Sequence, residues 1–407
     1  MDIQALTTDR RAEMFDLLRL CLGERKTVRR DERFWGWKHE QNPFGPSLVL
    51  LGEEEGQLVG LRALLRWRLE AGAPLRTFGL RTLGEGNQSQ GSGAGDGHLA
   101  QAAWGEIPAL EGGSHTLAVL RAVDTVTHPA WRQRGIFTRL TQAGLEAARA
   151  AGVALVFNTP NRNSLPGYLK MGWRRVGRLP VQVQVPRPLR FATGLARAKL
   201  LGRPLAPAGS VEPWLSPPLP AAVFLDQATG LEALVARDAT LRGPGWRTVR
   251  SPDFLRWRYA AHPYVTYYVE AVWEQGHGGP MARAGISVRG VLFWRLQMRF
   301  GLWELTLCDL LLAEPDLMLV AELVAGARRR LAADYLIACF SPASVQGQLL
   351  RRLGFWNPPG QGINFTVRLL GAGDGVGLTA GRDGAGLAPD PLELANWSLC
   401  LGDVEIF

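Results

Sequence analysis

Short apolar segments recur along the chain at lengths typical of β-strands. Residues 120–128 alternate between apolar and polar side chains, which is the pattern of a half-buried strand, and the apolar run at 153–157 is predicted to be a strand as well. Two more pairs of apolar segments are also predicted to be strands. One pair, at residues 48–51 and 58–64, comes before these strands, and the other, at residues 267–272 and 282–288, comes after them. Each half of the chain is therefore predicted to contain β-structure.

One segment between these strands has the helical period instead. Over residues 135–151, Leu140, Ala143 and Ala147 fall on one face of a predicted helix. Gly152 follows, where a helix commonly ends in a left-handed residue. Because strands and helices are mixed along the chain, the predicted fold class is α+β (mixed α/β).

The chain contains an internal repeat. The pattern F-x-x-W-[KR]-x4-P-[FY] begins at Phe34 and recurs at Phe254, an offset of 220. A second correspondence relates residues 157–173 to residues 339–355 at the smaller offset of 182. Since the offset falls between the two correspondences, the first copy is predicted to hold an insertion. The Gly/Ser-rich stretch within residues 83–113 fits this insertion, and we expect it to be a long mobile loop.

The repeat and the changes in composition define the predicted domain organisation. Pro186 to Pro220 carries eight prolines, as a linker would. The tail ending at Phe407 is apolar, so we expect it to pack back on a domain as an extra strand. The predicted units are a catalytic first domain at 1–185, a linker at 186–220, a second domain at 221–370, and a Gly-rich segment with the tail at 371–407.

The composition is that of an ordinary globular protein. Of its 407 residues, 46% are hydrophobic and 20% are charged, and no window approaches the roughly 20 apolar residues of a membrane span. The first residues do not form the apolar core of a signal peptide, so we expect a cytoplasmic protein that does not bind membranes. The four cysteines are widely spaced and the histidines form no HxxxH or HExxH pattern, which argues against disulfides and a metal site.

The charge is more ambiguous. The net charge is +9, and arginine supplies all but four of the 46 basic residues. One interpretation is a solvated basic surface, and the other is attraction to an anionic cofactor, polysaccharide or RNA. Composition alone does not decide between them.

A predicted anion site follows the strand at 120–128. The turn Arg132-Gln-Arg-Gly135-Ile-Phe-Thr138 is basic, contains a glycine and leads directly into the predicted helix. Free backbone N–H groups and the positive end of the helix dipole meet at such a turn, so it favours a bound phosphate or other anion.

This turn resembles that of GCN5-related N-acetyltransferases (GNAT). Their pattern [QR]-x-x-G-x-[GA] is matched at Arg132 and Gly135, while Phe137 departs from it at the sixth position. Downstream, Asn161-x-x-Ser164-x3-Tyr168-x-Lys-x-Gly-Trp173 is similar to a second signature of the family, in the expected order. The two motifs cover the segment from the strand at 120–128 to Trp173, and the internal repeat extends the resemblance over most of the chain.

The resemblance implies both a fold and a cofactor. The fold would be two tandem GNAT folds, distantly similar to the Eis group of acetyltransferases, each with a mixed, splayed central sheet flanked by helices. The acyl donor would be acetyl-CoA, without a metal, lying along the strand at 123–127 and the basic turn. The residues implied to bind it are Val126, Thr127, Arg132, Gln133, Arg134, Gly135, Ile136, Phe137, Thr138, Asn161 and Ser164.

The resemblance also implies catalytic groups, and it supports the general acid more strongly than the base. Tyr168 would be the general acid that protonates the departing thiolate; the alternative, which its position favours less, is a tyrosine that packs its ring on the core. Asp124, His128 and the Phe407 carboxylate are alternative bases, the last by similarity to the Eis group. His128 could instead have a structural role in a turn, and Asn161 could instead cap the following helix.

The second copy lacks most of these groups. The basic turn is replaced by Glu314-Pro315-Asp-Leu, and Tyr168 and Asn161 correspond to Leu350 and Ala343. We therefore expect the second copy not to bind CoA in the family's manner and to complete an acceptor cleft instead.

The predicted function is transfer of an acetyl group from acetyl-CoA to a primary amine of a small molecule or amino sugar, by direct attack in a ternary complex. One alternative is an aminoacyl- or longer-acyl transferase of the FemX-like kind, whose arginine-rich surface would meet tRNA. Another is a non-catalytic acyl-CoA-binding protein. We do not expect a nucleic-acid partner. The sequence does not decide whether the protein forms a homo-oligomer.

Overall fold

The computed structural model describes residues 1–24, 28–72, 116–200, 214–274, 288–371 and 387–404. The Gly-rich insertion predicted at 83–113 and most of the strand predicted at 282–288 lie outside these ranges. The other predicted strands, and the helix at 135–151, are present with ends that differ by a few residues.

Fourteen strands are described within these ranges. They are β1 Asp2–Ala5, β2 Leu48–Glu54, β3 Gln57–Ala71, β4 Thr116–Thr127, β5 Leu155–Asn158, β6 Arg174–Leu179, β7 Gln182–Gln184, β8 Leu219–Pro220, β9 Trp246–Thr248, β10 Tyr268–Trp273, β11 Val288–Arg299, β12 Leu302–Leu312, β13 Tyr335–Ala338 and β14 Ile363–Leu369.

The described helices surround these strands. They are α1 Arg11–Leu22, α2 Glu32–Trp35, α3 Ile136–Ala150, α4 Leu165–Lys170, α5 Pro188–Leu200, α6 Ala221–Gln227, α7 Leu231–Leu241, α8 Pro252–Leu255, α9 Leu317–Arg330, α10 Val345–Arg352 and α11 Leu401–Val404. Single π-helical turns follow α2 at Gly36–Glu40 and α8 at Arg256–Ala260, and 3-10 turns lie at Thr8–Arg10, Pro129–Trp131 and Leu394–Asn396.

The strands form two mixed sheets. The first has the order β1-β2-β3-β4-β5-β14-β6, with β9 also paired to β3, and the second has the order β7-β13-β12-β11-β10-β8. In each sheet one neighbouring pair is parallel, β4 with β5 and β12 with β13, and the other pairings are antiparallel. With helices on the faces of both sheets, the predicted mixed α/β fold class is confirmed.

The two sheets exchange strands. From the second half of the chain, β14 lies between β5 and β6 of the first sheet. From the first half, β7 pairs with β13 at the edge of the second sheet. The sheets therefore do not coincide with the units predicted at 1–185 and 221–370, because each half supplies a strand to the other half's sheet.

The first sheet is covered on both faces. Leu48 and Leu50 contribute to the core beneath α3, whereas Val49 and Leu51 contribute to the core beneath α1. A strand buried on both faces has an uninterrupted apolar sequence rather than an alternating one, which accounts for the apolar run of β2. Gly60 lets α3 approach closely, since a Cβ there would lie 2.7 Å from the side chain of Ile136.

The aromatic repeat forms the contact between the halves. The Trp37 indole N–H donates to the Trp257 carbonyl at 2.8 Å, and the Trp257 indole N–H donates to the Trp37 carbonyl at 2.7 Å. The two rings stack with centroids 5.3 Å apart. The preceding helices begin alike, with Asp31 capping α2 and Ser251 capping α8. Positions related by the offset of 220 thus meet in a reciprocal arrangement in a core shared by both sheets.

The predicted linker and the predicted tail strand both differ from expectation. The predicted linker at 186–220 contains the helix α5, which begins at Pro188, and proline is compatible with the first position of a helix. The described tail is buried at Trp397 and Cys400. It does not form the expected extra strand, because its pairing with Phe340 extends over one residue only. It contacts the rest of the protein through isolated bridges and helical turns instead.

Among the helices that the structure describes, none is both long and apolar enough to cross a bilayer.

Candidate active site

A cleft of about 790 Å³ opens where β4 and β5 diverge. The two strands pair in register only at Leu120 with Val156 and at Arg121 with Phe157. Beyond this point, residues 122–127 of β4 line the cleft on one side, and residues 158–161, at the end of β5 and just after it, line the other. Past Arg121, β4 is not paired with β5, so main-chain groups on this edge can pair with an extended ligand.

Most residues predicted to bind the cofactor come together in this cleft. Arg134 and Thr138 do not line it, and the Arg134 guanidinium instead lies 4.5 Å from the centre of the Trp131 ring. Those that line the cleft are Val126, Thr127, Arg132, Gln133, Gly135, Ile136, Phe137, Asn161 and Ser164.

The basic turn has the geometry of an anion site. Gln133 and Gly135 both have left-handed backbone conformations, with φ of 65° and 75°. Glycine adopts this conformation without strain, which explains its place at the start of α3. The N–H groups of residues 133–135 make no hydrogen bond within the described parts of the chain. Together with the N-terminus of α3, they form a concave set of donors suited to a phosphate.

Phe137, which departs from the family pattern, is accommodated by a glycine on the facing helix. Its ring packs edge-on against Tyr168, with centroids 5.4 Å apart. At Gly167 an added Cβ would lie only 2.9 Å from the Phe137 ring. The larger side chain thus fits because position 167 has none.

Tyr168 lies at the wall of the cleft, with its ring largely buried between Phe137 and Trp173. Its hydroxyl oxygen accepts a hydrogen bond of 2.7 Å from Nη1 of Arg62, a fully buried residue of β3. The same nitrogen donates to Thr125 on β4. Because Arg62 is the donor, the proton of Tyr168 is not used in this bond and can be donated into the cleft.

Arg62 was not identified from the sequence. The available signal was an arginine within the otherwise apolar core of β3, at a position where the apolar neighbours on both sides are buried. A buried guanidinium requires hydrogen-bond acceptors, so its presence in such a strand indicates a polar site nearby.

Asn161 and His128, each predicted to have either a functional or a structural role, make hydrogen bonds that order turns. Asn161 accepts hydrogen bonds from the N–H groups of Asn163 at 2.9 Å and Ser164 at 3.0 Å, which orders the turn before α4. His128 accepts a hydrogen bond from the N–H of Ala130 at 3.3 Å at the start of a 3-10 turn. These contacts favour the capping and turn interpretations for both side chains.

Asp124 lies among three basic side chains. Its Oδ2 atom lies 2.7 Å from Nζ of Lys38 and 2.9 Å from Nε2 of His39, and its Oδ1 atom lies 3.5 Å from Arg30. Burial alone would raise the pKa of this carboxyl, but the charge of Lys38 and the contact with His39 hold the pKa well below its usual range. The predicted role of Asp124 as a base is at odds with these contacts, because a carboxylate so stabilised takes up a proton poorly.

Lys38 and His39 are both buried, and desolvation lowers the pKa of each below its ordinary value. The Nδ1 atom of His39 lies 2.9 Å from the Ser47 hydroxyl. Lys38 lines the cleft, and it was not identified as a site residue from the sequence. Its signal was present, because it is one of only four lysines and occupies the basic position of the repeat.

Arg121 lies at the inner end of the cleft and is also buried. It donates to the main-chain carbonyl of Asp403 at 2.7 Å and to that of Val404. Burial and then the nearby charge of Arg258 lower the pKa of Arg121 to about 9. Phe407 lies outside the described residues, so its predicted role stays a prediction.

The corresponding region of the second half is closed. Glu314 and Asp316, which replace the basic turn, accept hydrogen bonds from Arg289. Leu350, at the position of Tyr168, is completely buried. Beyond the paired part of β12 and β13, the tail pairs with the chain that follows β13, since the N–H of Ser341 donates to the Leu399 carbonyl at 2.8 Å.

Among the described residues, those that line the cleft run from Cys21 to Tyr168, all in the first half of the chain. The expectation that the second half completes an acceptor cleft stays a prediction. The described part of the tail contacts one cleft residue, Arg121, which donates hydrogen bonds to the carbonyls of Asp403 and Val404. The exchanged strand β14 pairs with β5 on the side away from the cleft.

Comparisons with known proteins agree with this geometry. Residues 109–176 match a family model described as an acetyltransferase (GNAT) domain. No curated protein matches the sequence. A GCN5-related N-acetyltransferase from Anabaena variabilis has a similar structure, with a TM-score of 0.54 at 12% identity over 91% of this chain and 73% of that chain.

Two further solved structures are similar over the same share of this chain. A conserved protein of Enterococcus faecalis described as a probable N-acyltransferase gives a TM-score of 0.53 at 11% identity, covering 91% of this chain and 73% of its own. Eis1 from Mycobacterium abscessus gives 0.48 at 15% identity, covering 91% and 74%. The resemblance to GNAT proteins is confirmed for residues 109–176 by the family model, and the fold of the chain is that of solved GNAT structures.

Proposed function

We propose that this protein is an N-acetyltransferase that moves an acetyl group from acetyl-CoA to an amine of a small molecule. The observation that supports this most is one cleft that joins the basic turn at Arg132–Gly135 to the hydroxyl of Tyr168 through the diverging strands β4 and β5. The turn would hold the pyrophosphate, and the free main chain of β4 would pair with the pantetheine arm.

The chemistry follows from this placement. The amine nitrogen attacks the thioester carbonyl carbon, the resulting tetrahedral species collapses, and the carbon–sulfur bond breaks. In our proposal Tyr168 donates its proton to the departing sulfur, while Arg62 fixes the position of the hydroxyl oxygen. Asp124 acts as the counter-ion of Lys38 rather than as the base.

Acetyl-CoA binding and CoA release test the proposal directly. Calorimetric titration with acetyl-CoA should show one site per chain, because the region of the second half that corresponds to the cleft is closed. Release of the free thiol should then require an amine. Absence of acetyl-CoA binding would overturn the proposal, whereas binding without release for any amine would favour a non-catalytic acyl-CoA-binding protein.

Arg132→Ala should weaken acetyl-CoA binding about tenfold. Hydrogen bonds to charged groups contribute about 1.5–3 kcal/mol each, and a tenfold change in affinity corresponds to about 1.4 kcal/mol. The matched control is Arg139→Ala, which removes an exposed arginine of α3 that does not line the cleft. Equal losses in both variants would mean that general surface charge, not the turn, binds the donor.

Arg62→Met should lower kcat about tenfold, with little change in the KM for acetyl-CoA. It removes the donor that orients Tyr168 and leaves the ring contacts intact. Arg62→Lys keeps a cationic donor and should give an intermediate kcat. A purely structural role would instead lower the free energy of unfolding and leave the kcat of the folded fraction unchanged.

A further inference from the structure

One face of helix α5 is apolar and exposed to solvent. Its exposed positions include Leu189, Ala192, Thr193, Ala196 and Leu200, which are spaced three and four residues apart and therefore form one stripe along the helix. Leu189 and Leu200, at the two ends of this stripe, are 83% and 81% exposed, more than any other large hydrophobic residue that the structure describes. Single exposed leucines are ordinary in proteins, but two on one helical stripe form a shared apolar face.

The opposite face of α5 attaches the helix to the second sheet. The Phe191 ring packs edge-on against Tyr335 of β13, with centroids 5.0 Å apart. Arg190 forms an ion pair of 2.7 Å with the buried carboxylate of Asp334, and Gly194 on the same side is buried. These contacts hold the helix with its leucine stripe facing outward.

Basic side chains flank the stripe. Because successive residues of a helix are about 100° apart, Arg197 projects on one side of the stripe and Lys199 on the other, and both are exposed. The sequence of α5 contains no acidic residue. Cations in the last turn also suit the helix dipole, but the dipole does not account for leucine side chains in water.

More positive charge lies beside the first turn of α5, at the end of α9. Arg328 and Arg329 are exposed and shortly precede Ala332, whose carbonyl accepts a hydrogen bond of 3.1 Å from Arg187, just before α5. Leu215 is 70% exposed, and its N–H is bonded to the carbonyl of the last residue of α9. The end of α9 therefore adds two cations and a third exposed leucine to this region.

The basic residues make this region of the surface positive. Two of its carboxylates, Asp334 and Glu270, are each paired with an arginine. Residues 201–213, which follow α5 and lie outside the described ranges, contain one base, Arg203, and one acid, Glu212, so they do not change the balance of charge. The cations that form no ion pair with a described residue are Arg197, Lys199, Arg328 and Arg329.

We propose that α5 docks this protein on an anionic lipid surface, with the leucine stripe inserted below the headgroups and the flanking cations at the headgroup phosphates. A helix that lies in the plane of a membrane combines an apolar face with lysine and arginine beside it, because their long stems let the charge reach the headgroups while the apolar part is buried. RNA or another polyanion would match the cations alone, whereas an anionic lipid surface matches the cations and the leucines together.

The proposal goes beyond acetyl transfer and does not depend on it, since no residue of α5 lines the cleft. It replaces the expectation from the sequence of a protein that does not bind membranes. That expectation rests on the apolar segments needed for a membrane span or a signal peptide, and a helix in the membrane interface needs neither.

Vesicle flotation with the full-length protein tests the proposal. Vesicles of equal parts phosphatidylcholine and phosphatidylglycerol should bind the protein at least tenfold more tightly than vesicles of phosphatidylcholine alone. Added salt should weaken the binding, because it screens the charges. Failure to bind the anionic vesicles, as when a second copy or another segment of the chain covers the stripe, would overturn the proposal.

Leu189→Gln combined with Leu200→Gln should weaken binding to the anionic vesicles at least tenfold, because two apolar side chains no longer leave water. Both side chains are exposed, so the thermal unfolding curve should not change. The control is Leu20→Gln combined with Met318→Gln, which removes side chains that are 57% and 73% exposed on other helices and should keep the binding. Equal losses in the two double variants would mean that the stripe is not the docking surface.

Arg197→Gln combined with Lys199→Gln should weaken the same binding about tenfold. Arg237→Gln combined with Arg256→Gln removes as much positive charge from exposed positions elsewhere and should have a much smaller effect. The proposal fails if this charge variant weakens binding to vesicles and to single-stranded RNA alike while the leucine variant changes neither, because the surface would then be a polyanion site.

Discussion

Replacing Tyr168 with phenylalanine should lower kcat about 100-fold or more, with a small change in the KM for acetyl-CoA. A positioned general acid contributes about 10²–10⁴ in rate, and this substitution removes the hydroxyl while keeping the ring that packs on Phe137 and Trp173. Steady-state kinetics by thiol release measure both constants. The effect falls on kcat because the proton is needed only when the carbon–sulfur bond breaks.

Tyr335→Phe is the matched control for this prediction. The hydroxyl of Tyr335 also makes a buried hydrogen bond, to Glu304 at 2.5 Å, but it lies in the second sheet, away from the cleft. Both variants lose a buried hydroxyl, so a loss of stability should be common to them, whereas the loss of kcat should be confined to Tyr168→Phe. A kcat for Tyr168→Phe within a factor of three of the unchanged protein would rule out the general-acid role.

Replacing Asp124 with alanine should lower the free energy of unfolding by about 3–5 kcal/mol, the usual result of removing one partner from a buried ion pair. Lys38 and His39 are nearly inaccessible to solvent, so neither can recover its interactions from water. Denaturant unfolding measures the change. Glu274→Ala, which removes the exposed partner of Arg237, is the control and should have little or no effect.

The same carboxylate predicts how stability depends on pH. The pKa of Asp124 is lower in the folded protein than the ordinary aspartate value of about 3.9. Its contribution is therefore fully present above that value, and it is lost as the pH falls through the lower pKa of the folded state. Asp124→Asn should lose less stability than the unchanged protein as the pH falls below about 4. Parallel curves for the two proteins would contradict the assignment.

Local sequence patterns predicted much of the site. A left-handed glycine before an amphipathic helix is a local feature, and the turn at Arg132–Gly135 and the helix α3 form largely as the pattern indicates. The repeat was also readable, because positions related by its fixed offset keep the same caps and aromatic side chains. Strand β3 could be predicted, but the partner of its buried arginine could not, because Arg62 and Tyr168 are 106 residues apart.

Asp124, the predicted base, illustrates what local sequence patterns do not predict. Asp124 is a candidate base on sequence grounds because it lies in β4, along which the resemblance places the acyl donor. Its chemistry depends on Lys38 and Arg30, which come from another part of the chain and hold its pKa down. An interaction between distant residues has no periodic signature, so neither its presence nor its effect on a pKa can be read from one sequence.

The sequence by itself determined the mixed fold class, the internal repeat, the basic turn and the tyrosine that faces it, because each depends on residues that are near one another or recur at a fixed offset. Only the tertiary structure decided that β7 and β14 are exchanged between the sheets and that the tail fills the corresponding region of the second half. It also decided that Arg30, Lys38 and Arg121 converge in one cleft. Burial brings those charges together at a cost in solvation, and that cost is balanced by partners that only the folded chain can supply.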